Sequence, residues 1–338
     1  MLLYHFMSGF DAQLEQVPEI SRRLFLRGTL AVIGGAVGAE FLGACGSGDE
    51  TQSPHPGAGQ SETATANPAI TPESKTGPVP TWEQDFSKMP DGPVDPKVWN
   101  IVTGNLIPSY NKEAETYTDR RQNVRIQDGS LVLEGHKESY DDMRYTSGRI
   151  DTHGKFAFKT GRLEATIELP QGTGTWPAFW LLPDQPKYLP GDYGVDPNSD
   201  NAYAVNGELD IMEAVGFEPN QVHNNHWSYN AVNQNQDLTN TTDLPTAETA
   251  YHTYGIEKTP GKLVFTYDGK VVQTIEKSAN ASPLEWPFEQ AFYPIFNLAL
   301  GGTWGGQESN QYPPDGIQGN GPWQMKVRNL RYFAAESK

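Results

Sequence analysis

A single cysteine, Cys45, among 338 residues removes every disulfide within one chain from consideration. Packing and hydrogen bonds alone must hold the fold. Basic residues are scarce as well: 25 Lys and Arg stand against 42 Asp and Glu, a net charge of −17. Nucleic-acid binding needs clustered cations against phosphate, so that class of function is excluded. Strongly sulfated polysaccharides are disfavoured by the same field, although a locally basic cleft can override it. Long apolar runs are missing too. The moderately apolar stretch Gly28 to Ala44 is short for a bilayer-spanning helix and is interrupted by Glu40. No sustained helical period, internal repeat or second folded domain can be read from the chain.

What is present begins with an address. Ser21-Arg22-Arg23-Leu24-Phe25-Leu26-Arg27 resembles a twin-arginine export signal, and Leu42-Gly43-Ala44-Cys45 resembles a bacterial lipobox. Residues 1–45 are therefore expected to be a signal segment with Cys45 as the lipid attachment point, which also explains why the cysteine is solitary. The competing reading is a small buried thiol. Membrane contact is expected only through that anchor, without a spanning helix. From 46 to 80 the chain is Gly, Ser, Thr, Pro and Ala with scattered acids, a composition that cannot bury enough surface to offset ordering entropy. A flexible linker of about 35 residues has a root-mean-square reach of roughly 30 Å. Residues 81–335 remain for one folded domain.

That domain reads as strands. Ser130-Leu131-Val132-Leu133-Glu134 follows an Asp128-Gly129 turn, and Arg162 to Leu169 alternates apolar with polar residues. Lys262 to Tyr267 and Lys270 to Ile275 flank Asp268-Gly269, a strong two-residue hairpin signal. Many short strands with Gly and Asp turns predict an all-β, two-sheet sandwich.

Within it, Glu208-Leu209-Asp210-Ile211-Met212-Glu213 places three carboxylates in an otherwise apolar strand. Side chains alternate along a strand, so Glu208 and Asp210 share a face and Glu213 falls on the other. One extra residue, Ile211 or Met212, absorbed in a β-bulge brings all three together. Clustered carboxylates are expensive to desolvate and push one another's pKa upward. Two carboxyls about 5–5.5 Å apart, one ionised and one protonated, are the equipment of a retaining glycosidase. The bland reading is an edge strand with a solvated acidic face.

The surrounding segments decide between the two. Gly172-Thr173-Gly174-Thr175-Trp176-Pro177-Ala178-Phe179-Trp180-Leu181-Leu182, Asn206-Gly207 with the carboxylate strand, and Val222-His223-Asn224-Asn225-His226-Trp227 together resemble glycoside hydrolase family 16 and its laminarinase-like bacterial endo-β-1,3-glucanases. The resemblance runs from Trp82 to Phe333 through Tyr117-Thr118-Asp119-Arg120, Tyr145 to Arg149, Tyr251 to Ile256 and Asn297 to Trp304. It implies a concanavalin A-like β-jelly roll with a concave substrate cleft. It also implies Glu208 as nucleophile, Glu213 as acid/base and Asp210 between them, hydrogen-bonding Glu208. Asn111 and Arg149 match polar positions on the non-reducing side, and Trp176 and Trp180 match sugar-binding tryptophans. Tyr203 stands where relatives carry Trp, and His226 stands where the family has a cleft histidine. His223 is read as structural, Trp304 as a further wall, and Trp82, Trp99 and Trp286 as packing. A polysaccharide is the expected partner and a monomer the expected state.

The departures are specific. A loop from Pro183 to Ala202 with Tyr188 and Tyr193 is expected to border the cleft, and the usual Gln of an early Asn-x-Glu-x-Gln pattern is Glu115. Where many relatives hold a structural calcium this chain has Asp85 and Arg328, and a guanidinium cannot ligate calcium, so no cofactor or metal is expected and an ion pair takes its place. Three readings stay open: a β-1,3- or mixed β-1,3-1,4-glucanase; a hydrolase or transglycosylase on another β-linked polymer such as agar-type galactan or xyloglucan; and a non-catalytic glycan-binding protein.

Overall fold

The computed structural model describes residues 78–105, 111–199, 201–306, 317 and 321–335. The signal-like segment, Cys45 and the linker as far as residue 77 lie outside the described residues. Among those described, the strands are β1 (Trp82–Asp85), β2 (Asn100–Ile101), β3 (Glu115–Tyr117), β4 (Val124–Gln127), β5 (Ser130–Tyr140), β6 (Met143–Ser147), β7 (Arg149–Asp151), β8 (Gly161–Glu168) and β9 (Thr175–Pro183). They continue with β10 (Glu208–Glu213), β11 (Gln221–Trp227), β12 (Asn240–Asp243), β13 (His252–Thr259), β14 (Lys262–Tyr267), β15 (Lys270–Glu276), β16 (Phe292–Leu300) and β17 (Trp323–Phe333). Two sheets result. One runs β15-β14-β13-β8-β17-β5-β6-β3, with β1 beside β17 and β4 beside β5; the other runs β12-β11-β10-β9-β16-β7-β2.

The sequence dictates this locally in recognisable ways. Asp128 and Gly129 have φ of 50° and 71°, and Asp268 and Gly269 have 48° and 74°, so both hairpins turn through two left-handed residues whose twist suits antiparallel strands. Alternation in β8 sends Leu163, Ala165 and Ile167 inward, where they meet Phe179, Leu181, Leu209, Met212, Phe296 and Leu298 of the other sheet. Each of the Leu, Ile, Met and Phe side chains stabilises by about 1.5–3 kcal/mol on burial. Truncating Phe296 to Ala would cost about 3–5 kcal/mol. Trp99 and Trp286 lie in this core and Trp82 stacks on Phe156 at 3.8 Å, which is the packing role expected of all three.

The expected ion pair between Asp85 and Arg328 does not form. Asp85 binds Lys88 at 2.6 Å and accepts from Ser87, while Arg328 lies over the Tyr251 ring at 4.2 Å. The reason is the register: β17 slips against β8 between Val327 and Asn329, and the slip leaves Arg328 exposed, away from the β1 edge. A carboxylate already committed to an ammonium, with a guanidinium at the matching position, does not fit a calcium ion.

Candidate active site

The strand β10 crosses the middle of the second sheet, and its pairing with β9 shows where the extra residue goes. Asp210 lies opposite Trp180 and Met212 opposite Phe179, so Ile211 is the bulged residue. Against β11, three steps from Asp210 to Glu213 match two from Asn225 to His223. Glu208, Asp210 and Glu213 consequently share the outer face, while Leu209, Ile211 and Met212 are fully buried. Bulging removes the Ile211 carbonyl from the ladder. The buried Tyr267 hydroxyl of the opposite sheet donates to it at 3.2 Å, so the irregularity leaves no orphaned acceptor there. Just ahead of β10, Gly207 turns with φ 80°, and a side chain there would meet Pro287 at 2.7 Å and Phe288 at 2.9 Å. Only glycine fits both constraints.

Neighbouring strands complete the face. From β9 the Trp176 indole donates to Glu213 Oε1 at 2.9 Å, and the Trp180 indole donates to Asn297 Oδ1 of β16 at 2.7 Å. Asn297 Nδ2 in turn donates to the Tyr117 hydroxyl at 3.2 Å. The Arg149 guanidinium of β7 lies over the Trp180 ring at 4.9 Å. Trp304, in the short helix Gly302–Gly305, meets Trp176 edge-on at 5.5 Å. Asn111 donates to Glu113 Oε1 at 3.1 Å, and its carbonyl accepts from the Thr303 N–H. Tyr203 is 43% exposed on a turn just before β10. Two 2.8 Å bonds between the Asn206 side chain and the Tyr188 backbone fasten the Pro183–Ala202 loop to that same turn, and Tyr188 packs edge-on against Tyr193 at 5.8 Å.

His226 is a correction. It pairs opposite Leu209, so its side chain shares the inner face; it packs near Phe288 and lines a cavity of about 250 Å³ with Ser228 and Trp286. His223, opposite Glu213, is the histidine on the carboxylate face, and it meets Trp304 at 5.0 Å. Burial pushes both imidazoles down to about 4, so both are neutral at ordinary pH. Sequence reasoning also passed over Trp227, opposite Glu208, and Asn297; the available signal was strand phase, since every second residue of β11 must face as the carboxylates do. The cavity beside His226 is not where the carboxylates lie.

Burial lifts Glu208 to about 8 and Glu213 to about 7, and lifts Asp210 well above its ordinary range. Next to burial, the Glu213 charge raises Glu208 and the Glu208 charge raises Asp210, so the three titrate as a unit. Both glutamates therefore hold their protons into the neutral range, Glu208 longer than Glu213. Arg149 and a hydrogen bond from Asp210 favour the anion at Glu208, whereas the Glu113 charge opposes it at Glu213. The Trp176 N–H favours the Glu213 anion but carries no formal charge. Asp210, itself raised by the bond it gives Glu208 and accepting from Trp227, is the neutral member between two glutamates.

A family model for glycosyl hydrolases family 16 matches residues 111–315. The beta-glucanase of Rhodothermus marinus is 37% identical over 244 residues, which is 68% of this chain and 79% of that protein. The X-ray structure of the laminarinase from Rhodothermus marinus superposes with a TM-score of 0.65 at 34% identity, covering 75% of this chain and 96% of the other. SCLam, a non-specific endo-beta-1,3(4)-glucanase, gives a TM-score of 0.62 at 28% identity over 75% and 93% of the two chains.

Proposed function

Because the chain belongs to glycosyl hydrolases family 16, we propose that it is an endo-acting hydrolase of β-1,3-glucans or mixed β-1,3-1,4-glucans that retains anomeric configuration. The observation that carries this reading is the Ile211 bulge, which puts Glu208 and Glu213 on one face with the neutral Asp210 between them. Ionised Glu208 attacks the anomeric carbon as the glycosidic C–O bond breaks, and Glu213 gives its proton to the departing oxygen. Glu213, now a carboxylate, takes a proton from water; that water attacks the same carbon and frees Glu208. Asp210 donates to Glu208 and keeps it anionic without adding a third charge. Trp176, Trp180 and Trp304 supply apolar faces for sugar rings, and Asn111, Arg149, Asn297 and the more exposed Tyr203 supply polar or stacking contacts.

The test is a product profile from laminarin, lichenan, agarose and xyloglucan, with E208Q alongside. Oligosaccharides of mixed length from laminarin or lichenan, appearing first as the β-anomer by proton NMR and absent with E208Q, support the reading. Cleavage of agarose or xyloglucan alone, an α-anomer first, or substantial E208Q turnover overturns it.

Export follows from the paired arginines and the Leu42-Gly43-Ala44-Cys45 motif. The protein crosses the membrane folded, is cut before Cys45 and is held by lipid at the cell envelope, and the linker lets a single catalytic domain reach polymer outside.

A further inference from the structure

Glu115 opens β3 and is about 1% exposed. Its Oε2 accepts the Leu300 N–H at 2.8 Å; its Oε1 is closed off from solvent and has no hydrogen-bond partner. An ionised carboxylate so placed would have only the Leu300 N–H and the Tyr117 hydroxyl for its full acceptor capacity, a costly deficit. The charge facing it does not help. From the segment that leads into its own strand comes Glu113, whose charge opposes a second anion, while the Tyr117 hydroxyl of β3 donates to it. From β16 come the Leu300 N–H and Asn297, which is engaged with Tyr117. Tyr145 stands opposite on β6, its hydroxyl accepting from the Ile317 N–H. Arg149 of β7 acts on Tyr117, and among the described residues no cation is among the groups that act on Glu115. Burial first and Glu113 second lift Glu115 well above the carboxylate range. A carboxyl that keeps its proton is a donor with the outline of a glutamine amide.

The position is consequential because Glu115 joins the two ends of the site. On one side, Glu113 is bonded by Asn111 and paired across to Gly301, and a methyl group at Gly302 would lie 3.3 Å from Trp176 and 3.4 Å from Glu113. Glu113 therefore sits beside the indole that binds Glu213. On the other side, Tyr117 leads through Asn297 to Trp180, over which Arg149 stacks. We propose that Glu115 is a positioning residue of the glucan cleft: a neutral carboxyl that sets no charge against Glu113 beside the acid/base and receives the hydroxyl of Tyr117, which leads to Trp180, so that loss of its proton drives Glu113 out of place. It touches no reacting atom. The inference rests on the glucanase reading for its activity assay alone.

E115Q tests it, since the amide is uncharged at every pH. kcat and KM on laminarin, and the thermal midpoint, are measured for wild type and E115Q from about pH 4 to about pH 9. Ionisation of Glu208 and Glu213 affects both proteins, so the ratio of their kcat/KM values isolates residue 115. That ratio rises with pH by about threefold or more, while E115A, which lacks the acceptor for Leu300 and Tyr117 throughout, loses roughly tenfold in kcat/KM at all pH values. A raised folded-state pKa contributes stability that is fully present below the unfolded value of 4.5 and is lost as pH rises towards the folded one. The midpoint advantage of E115Q is accordingly absent near pH 4 and grows above it. A ratio independent of pH overturns the positioning role, and a flat stability difference overturns the neutral carboxyl. Failure of E115Q to fold also overturns it, because the amide reproduces the protonated group. Wild type inactive on laminarin would sink the glucanase reading, and the midpoints would still decide whether Glu115 is neutral.

Discussion

The Tyr267 hydroxyl donates to the Ile211 carbonyl at 3.2 Å, one sheet satisfying a backbone acceptor at the bulge by which the other sheet places its carboxylates. Y267F removes the donor and leaves that carbonyl buried and unpaired, a loss of about 1–3 kcal/mol. Because the bulge sets the relative placement of Glu208 and Glu213, kcat should fall more than the stability of the remaining folded fraction explains. Chemical denaturation and steady-state kinetics on laminarin check this pair of effects. A destabilised variant with unchanged kcat would mean the bulge holds its shape without Tyr267.

Glu213 acts first as a proton donor, so kcat/KM should decline as pH rises through about 7, where it loses that proton. The Trp176 indole favours its ionised form. Removing the indole N–H in W176F therefore raises the Glu213 pKa and moves the alkaline limb upward, by roughly half a unit to one unit. Binding also weakens as a stacking surface shrinks. A pH–rate profile of the variant reads the sign directly, and a downward move would contradict the hydrogen bond.

Two histidines three residues apart separate by face. H223A opens the wall that holds Trp304 beside Trp176, and KM for laminarin should rise several-fold, about 1 kcal/mol of binding. H226A acts in the interior near Phe288, lowering the thermal midpoint while leaving KM within about twofold. A larger KM effect from H226A than from H223A would reverse the assignment.

Much of this was legible in the chain because strand arithmetic is local. Two-residue periodicity located the bulge within Ile211-Met212, and the two Asp-Gly turns fixed their hairpins. What escaped depends on how strands meet. The phase of β11 against β10 is a tertiary property, and a one-residue difference sends His226 inward and His223 outward. The slip of β17 beside Arg328 likewise cannot be counted from sequence, and it is what withholds the ion pair with Asp85. Glu115 stood out only as an acid in place of an amide; its burial arises from β3 lying parallel to β6 under the end of β16.

The export reading makes the last prediction. Cys45 is the one cysteine, and it follows Leu42-Gly43-Ala44 directly after an apolar stretch, where lipid transfer to sulfur is the chemistry such a motif serves. Folded passage suits this domain, because strands distant in sequence, such as β1 with β17, must pair before the sandwich is stable, and such contacts form slowly. C45A should leave kcat on laminarin unchanged, since the domain begins more than thirty residues later. The variant should leave the detergent-extractable membrane fraction and appear soluble, or accumulate as unprocessed precursor. R22K/R23K should instead hold the active enzyme on the cytoplasmic side, because paired guanidinium groups and not charge alone identify the signal. Fractionation with an activity assay distinguishes the two blocks, and membrane association of C45A equal to wild type would sink the lipid anchor while leaving the catalytic assignment intact.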